Sequence, residues 1–464
     1  MNARKVGLLL LILGTGAAIE TAWSVRNHID VGPAGCRVLG GKFYGQSYRF
    51  EEEAVRPAAA DARIEIKNAF GAVRVRAGEP GEVKVTLEKV VYLPTEERAR
   101  EFAAGVKLAL EESGATLRIG TNRDELARRG DDVGFETHLT VAVPAGVAVV
   151  VANEHGETEV QDVAGAEVDS SYDSLRVERI AGDADLKHRH GDVSVADIRG
   201  TLSLNSRYGG VAVKDVAGRA TVDSQHGDVA AERTGGLEVT FAHGGLRVKA
   251  VSGDLEARGE HGGVQVSEVT GSAKVATSFG SVEVSQVGGD ARLTAKHGGV
   301  EATDVKGGLT ADASFDRVKL ERIGGPAEVT VEHGGVVARE MDKGLRARVS
   351  GDSVELDAFQ GPVEIDVERG SATLRPRGAI TESVSVKTSN GGIRLDVPAS
   401  SRFELEARVR RGEIAVNVPG LTVTETAPQS LRGIVGNGGV SVRLSAEGGD
   451  VTVEGAAERA AKED

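Results

Sequence analysis

A ring-bearing side chain returns every seventeen or eighteen residues through the middle of this chain, and that period restricts the fold more than any other feature. With Tyr208 as position zero, Gly209 follows, then Val211, Val213, Val216, Gly218, Ala220, Val222 and Ser224, and the count closes on His226. The same offsets run from His261 through Val264, Val266, Val269, Gly271, Ala273, Val275 and Thr277 to Phe279. Position zero falls at His155, Tyr172, His190, Tyr208, His226, His243, His261, Phe279, His297, Phe315 and His333. These eleven places hold seven His, two Tyr and two Phe in a chain with only 10 His, so chance is excluded. Repetition on this scale signals one small unit stacked on copies of itself.

Parity gives the shape of the unit. Apolar residues occupy positions three and five, then eight, twelve and fourteen, with a glycine at ten. Side chains alternate between faces along a strand. A switch from odd to even between five and eight, and another past position zero, therefore marks two bends per rung. The predicted fold is all-β, a parallel β-solenoid (β-helix) of about 18-residue rungs over 153–455, stable only as an array. About sixteen rungs at roughly 4.8 Å would make a rod on the order of 80 Å long. Position zero shares the even parity, which predicts a ring tucked inward at a corner and stacked on its neighbours. The glycine after it allows a turn that a β-carbon would hinder.

The segment 61–152 reads as an N-terminal β-rich capping subdomain. "IEIKNAFGAVRVRAG" (64–78) repeats the template at Phe70, Gly71, Val73 and Val75. Ala99, Phe102, Ala103, Val106 and Leu110 then recur at helical spacing, predicting one helix near 95–111 with Thr95 as its N-cap. Strands are expected near 83–92, 115–121 and 137–152. A cap is needed because the open end of a solenoid would otherwise pair with other chains.

Residues 1–25 have basic Arg4 and Lys5 ahead of an apolar run from Val6 to Ile19, which suits either a cleaved signal peptide or an uncleaved N-terminal anchor. Both predict an exported protein at the periplasm or cell surface, touching membrane only through that segment. Residues 26–60 read as a linker and 456–464 as a charged tail. The one cysteine, Cys36, excludes a disulfide within the chain. A formal charge of −14, with acids and bases interspersed, argues against a nucleic-acid partner.

Histidine invites a chemical reading. His226, His243 and His261 fall in successive rungs, and neutral imidazole suits zinc or copper. His188 and His190 form a second potential chelating pair. Phe and Tyr in the same slot favour stacking instead, so the eleven rings are assigned as a structural ladder, with no metal and no cofactor. The "HGD" triplets at 190–192 and 226–228 are too isolated for a calcium β-roll. Rungs between 155 and 345 have no inserted loops to build the cleft of a carbohydrate-active β-helix enzyme. No nucleophile elbow, P-loop or H-E-x-x-H is present, so the chain reads as not an enzyme.

"NSRYGGVAV" (205–213), "TSFGSVEV" (277–284) and "TSNGGIRL" (388–395) resemble the repeated signature of the bacterial putative-adhesin proteins, toast-rack-like β-solenoids of the cell envelope. The resemblance covers about 60–455. It implies an exported envelope protein without known catalysis and offers no active-site residues to carry over. The expected function is a non-enzymatic envelope scaffold or adhesin-like rod, its partner an envelope glycan or a protein. The alternatives are a carbohydrate-active enzyme and metal binding through the histidines.

Overall fold

The computed structural model describes residues 45–59, 62–128 and 133–456. The N-terminal signal or anchor, Cys36 and all of the charged tail but its first residue lie outside the described residues. The chain forms a parallel β-solenoid of about 14 turns, slightly fewer than sixteen because both ends depart from the simple rung.

Each rung contributes two strands, one to each of two parallel stacks. Val193, Val195 and Ile198 pair with Val211, Val213 and Val216 in one stack, while Leu202 and Leu204 pair with Ala220 and Val222 in the other. These side chains face one another across the rung and are at most 2% exposed. Burying each Val or Leu stabilises the array by about 1.5–3 kcal/mol, repeated at every level.

The bend between positions five and eight sits at position seven. Asp162, Arg179, Asp197, Asp215, Arg233, Ala250, Glu268, Gln286, Asp304, Arg322, Glu340 and Ala358 all have φ between 52 and 60°. A left-handed conformation in a non-glycine residue costs about 1–2 kcal/mol. Flanking pairs such as Glu178 with Ala196 and Ile180 with Ile198 over-determine the bend, and the pairing skips the bent residue itself. The other corner uses glycine at position one. Gly262 has φ 138°, and a β-carbon there would lie 1.8 Å from the Gly244 carbonyl oxygen.

The N-terminal end comprises β1 (Gln46–Pro57), β2 (Arg63–Asn68), β3 (Val73–Ala77), β4 (Glu82–Leu93), α1 (Glu96–Gly105), β5 (Leu108–Ser113), β6 (Thr116–Thr121), α2 (Arg123–Arg128), β7 (Gly134–Val143), β8 (Ala148–Asn153) and β9 (Thr158–Gln161). Strands β2 and β3 form a rung beneath β8 and β9, as the Phe70 match predicts. Below it lies a rung from β6 and β7, which come later in the chain. Antiparallel β5 borders β6, and antiparallel β4 then β1 border β7.

Three expectations are corrected here. The linker at 26–60 contains strand β1. The predicted helix stops at Gly105 rather than 111, because Leu110 belongs to β5, where it pairs with Ile119. A second helix, α2, stands in the cap, where the sequence pattern predicts only one. Thr95 takes the extended N-cap conformation, but its side chain makes no capping hydrogen bond. Val91, Ala99, Ala103, Val106, Leu126 and Phe135 form a small separate core that holds both helices against the sheet.

The C-terminal end also closes out of order. Strand Phe403–Val409 lies beyond the returning strand Val440–Ala446, which slots against Val384–Asn390. Antiparallel Ser430–Val435 and Leu421–Ala427 finish that stack. Thus both ends carry antiparallel strands that interrupt the growth of the array.

Candidate functional surface: a ladder of exposed rings

The eleven position-zero rings stack face to face along one corner of the solenoid. From His155 to His333 the centroids of successive rings are 4.4–5.0 Å apart and the planes lie within 27° of parallel. Phe70 adds a twelfth, tilted ring 5.3 Å from His155. The spacing is that of the strands, so the backbone sets it, and the column runs for roughly 50 Å.

The rings point outward, which corrects the inward placement drawn from parity. Tyr172, Tyr208, Phe279 and Phe315 are 45%, 45%, 47% and 52% exposed. The last inward residue of each rung stands two places earlier, at Ser206, Ser224, Phe241 or Thr277, all buried. Register explains the change. His188 pairs with Ser206 and His190 with Tyr208, but Arg189 and Arg207 are skipped, and the alternation breaks there. Both remaining residues of the strand then lie outside. Each ring is covered on its faces by its neighbours and offers solvent its edge.

The ladder has a built head and tail. The Arg123 guanidinium lies 4.9 Å from the Phe70 ring centroid and 4.2 Å from that of Phe135. It donates to the Phe135 carbonyl, and burial lowers its pKa to about 10, leaving it charged at neutral pH. Beside it, Tyr92 Oη donates to Glu136 at 2.9 Å, and Glu136 also meets His138 Nε2 at 3.0 Å. The Ala72 N–H donates to His138 Nδ1, so the ring proton sits on Nε2. The His138 and Tyr92 contacts hold the Glu136 pKa below its ordinary value, whereas burial and Glu136 push Tyr92 up to about 12. The cluster fastens β4 to β7. At the other end Gly351 takes position zero and the rings stop.

Other sequence candidates separate. His190 is exposed, whereas His188 is buried with Nδ1 2.7 Å from Ser170 Oγ, so the two do not converge on one ion. Burial lowers the His188 pKa. The aspartates of the "HGD" triplets are structural, since Asp192 and Asp228 each accept the backbone N–H of the next rung, from Gly210 and Gly245, at 2.8 and 2.7 Å.

Most carboxylates in two of the surface grooves are similarly engaged, Glu328 and Glu340 being the exceptions among the described residues. A groove of 880 Å³ contains Asp254 and Asp290, which accept backbone N–H groups from Ser272 and Gly308. Glu256 in the same groove pairs with Lys274 at 2.9 Å. In another, of 1040 Å³, Asp304 is held by both arms of Arg322, at 2.6 and 3.1 Å. Among the described residues no group of three or more His, Cys, Asp or Glu side chains is arranged as a metal cage.

No curated protein matches the chain. A solved structure, a putative cell adhesion protein from Clostridium sporogenes ATCC 15579, is similar over 88% of this chain and 100% of that one. Its identity is 5% and its TM-score 0.14, too slight to bear on function. The model of the family described as Toastrack DUF4097 matches residues 62–322 and 244–454, together most of the solenoid and its cap. The chain belongs to the Toastrack DUF4097 family.

Proposed function

We propose that the protein is a non-enzymatic scaffold of the cell envelope, an adhesin-like rod that presents a rigid solenoid surface to an envelope glycan or protein partner. The observation that carries this reading is the use of the carboxylates. Most of those in the two grooves cap successive rungs or pair with Arg and Lys, leaving among the described residues one unpartnered carboxylate in each, Glu328 and Glu340, whereas hydrolysis of a glycoside needs a free acid and base facing one cleft. Membership of the Toastrack family and the unbroken rung length from His155 to His333 agree with a surface built for contact. Placement in the envelope rests on the apolar run from Val6 to Ile19. Among the described residues no helix is long and apolar enough to cross a membrane.

The test is incubation of the purified chain with isolated envelope fractions from the native host. Saturable retention without release of reducing ends or soluble fragments is the expected result. Turnover of the material, or recovery of the native protein only from cytosol, would refute the proposal.

A further inference from the structure

Seven histidines in one column are not equivalent. His155 lies between Phe70 and Tyr172, His190 between Tyr172 and Tyr208, and His297 between Phe279 and Phe315. His333 has Phe315 on one side and Gly351 in the next rung. Only His226, His243 and His261 form an unbroken run, with centroid distances of 4.8 and 5.0 Å. All three are exposed, and among the described residues none of their ring nitrogens has a hydrogen-bond or ion-pair partner. At His297, by contrast, Nδ1 donates to the Ser278 carbonyl at 3.1 Å.

We propose that the His226–His243–His261 run is a binding site for one zinc or copper(II) ion, bridged between imidazoles of adjacent rungs. Metal–imidazole bonds of about 2.0–2.1 Å require two ligand nitrogens roughly 2.8–4.2 Å apart, from a right angle at tetragonal copper(II) through the tetrahedral angle at zinc to a linear arrangement. The stack holds neighbouring ring centroids 4.8 and 5.0 Å apart with their edges turned the same way, so two solvent-exposed rings must swing toward each other to bring one nitrogen of each into that range. Imidazole is the donor that suits these ions, and the formal charge of −14 favours cations at the surface. Two protein ligands leave the other coordination positions open to water or to a donor from a partner. This is compatible with the lack of a three-ligand cage, and it does not depend on the adhesin reading.

The ladder supplies its own controls, because Phe and Tyr occupy the same slot in neighbouring rungs. His243→Phe or His243→Tyr removes both adjacent imidazole pairs and leaves the stack filled. His226→Phe or His261→Phe leaves one pair intact, and His297→Phe removes a histidine with no histidine neighbour. The experiment is calorimetric titration of the untagged full chain with zinc chloride, with copper(II) paramagnetic resonance as a second readout. His28, Cys36 and the amino terminus contribute the same background to every variant.

The expected result is one site with two equatorial imidazole nitrogens in the copper spectrum. Binding should weaken at least about tenfold in both His243 variants and in the His226→Phe, His261→Phe double variant. Either single outer change should weaken it by no more than about threefold, and His297→Phe should leave it unchanged. Circular dichroism and a preserved scattering profile establish that each variant keeps the rod. Wild-type affinity in a folded His243 variant overturns the proposal, and so does a loss that tracks only the number of histidines removed. Unfolding of both His243 variants also overturns it, because the imidazole would then be a structural requirement of the stack.

Discussion

Phe241 and Gly259 occupy the same inward position in successive rungs, and together they make a test of how tightly the array is packed. Phe241 is 1% exposed and stands where the two preceding rungs hold Ser206 and Ser224. A β-carbon on Gly259 would lie 2.1 Å from Phe241 Cζ and 2.6 and 2.7 Å from its two Cε atoms. The ring of one rung therefore fills the space that a side chain of the next would need. Gly259→Ala should cost about 1–3 kcal/mol through overpacking. Phe241→Ala should cost about 3–5 kcal/mol through lost burial and the cavity left behind. In the double variant the clash disappears and the new methyl enters that cavity. The two costs should then fall short of additivity by about 1–3 kcal/mol. Guanidinium unfolding followed by circular dichroism on the wild type and three variants gives the coupling directly. Costs that add to within about 0.5 kcal/mol would show that the two residues do not share a space, and the packing account would fail.

Two further predictions follow from burial. Val275 and Leu293 are 1% and 0% exposed, so replacing either by Asp buries an unpaired carboxylate and should cost several kcal/mol, whereas Lys274→Asp and Arg292→Asp on the outer face should change the unfolding midpoint little; equal damage from both sets would refute the face assignment. Burial lowers the His188 pKa, so below its unfolded value near 6.5 the unfolded chain binds more protons, and stability should decline as pH falls from there toward the folded value. Comparing midpoints at pH 7.5 and 5.5, His188→Ser, the residue type of the next rung at that position, should lose part of the acid sensitivity; a variant that keeps all of it would show that His188 is not the source.

Much of the fold was legible because a solenoid writes the same constraint many times. The valines at positions three and five and the apolar residues at eight, twelve and fourteen recur with one period, and two parities already imply two stacks with a bend between them. What the bend looks like was not legible. Arg179, Gln286 and Ala250 carry no sign of a left-handed backbone, yet they have φ of 55, 56 and 58°. The conformation is imposed by pairing on either side, a long-range constraint that no local propensity records. The ends were hidden for a related reason. Nothing in "GNGGVSVRLSA" says that Val440–Ala446 pairs with Val384–Asn390 while Phe403–Val409 lies beyond it. Period predicts neighbours only while the chain advances one rung at a time.

The ladder was found by period and misplaced by parity, and the misplacement changes what it means. Alternation carried through the corner puts this exposed column in the interior, but the pairing skips Arg189 and Arg207 and the alternation ends there. The buried column beside it holds Ser206, Ser224, Phe241, Gly259, Thr277 and Ala295, a varied set in which a large residue is balanced by a small one. The exposed column holds nothing but flat rings from His155 to His333. Stacking, worth about 0.5–1.5 kcal/mol per aromatic pair, accounts for flatness at the spacing the strands impose. It does not account for seven of the eleven being imidazole, since Phe279 and Phe315 stack in the same slot at the same distances. What histidine adds to phenylalanine there is nitrogen at a ring edge, and ring edges are what this column turns toward solvent. The chemistry of the ladder therefore belongs to whatever meets that edge, and the run His226–His243–His261 is where adjacent nitrogens are closest to acting together.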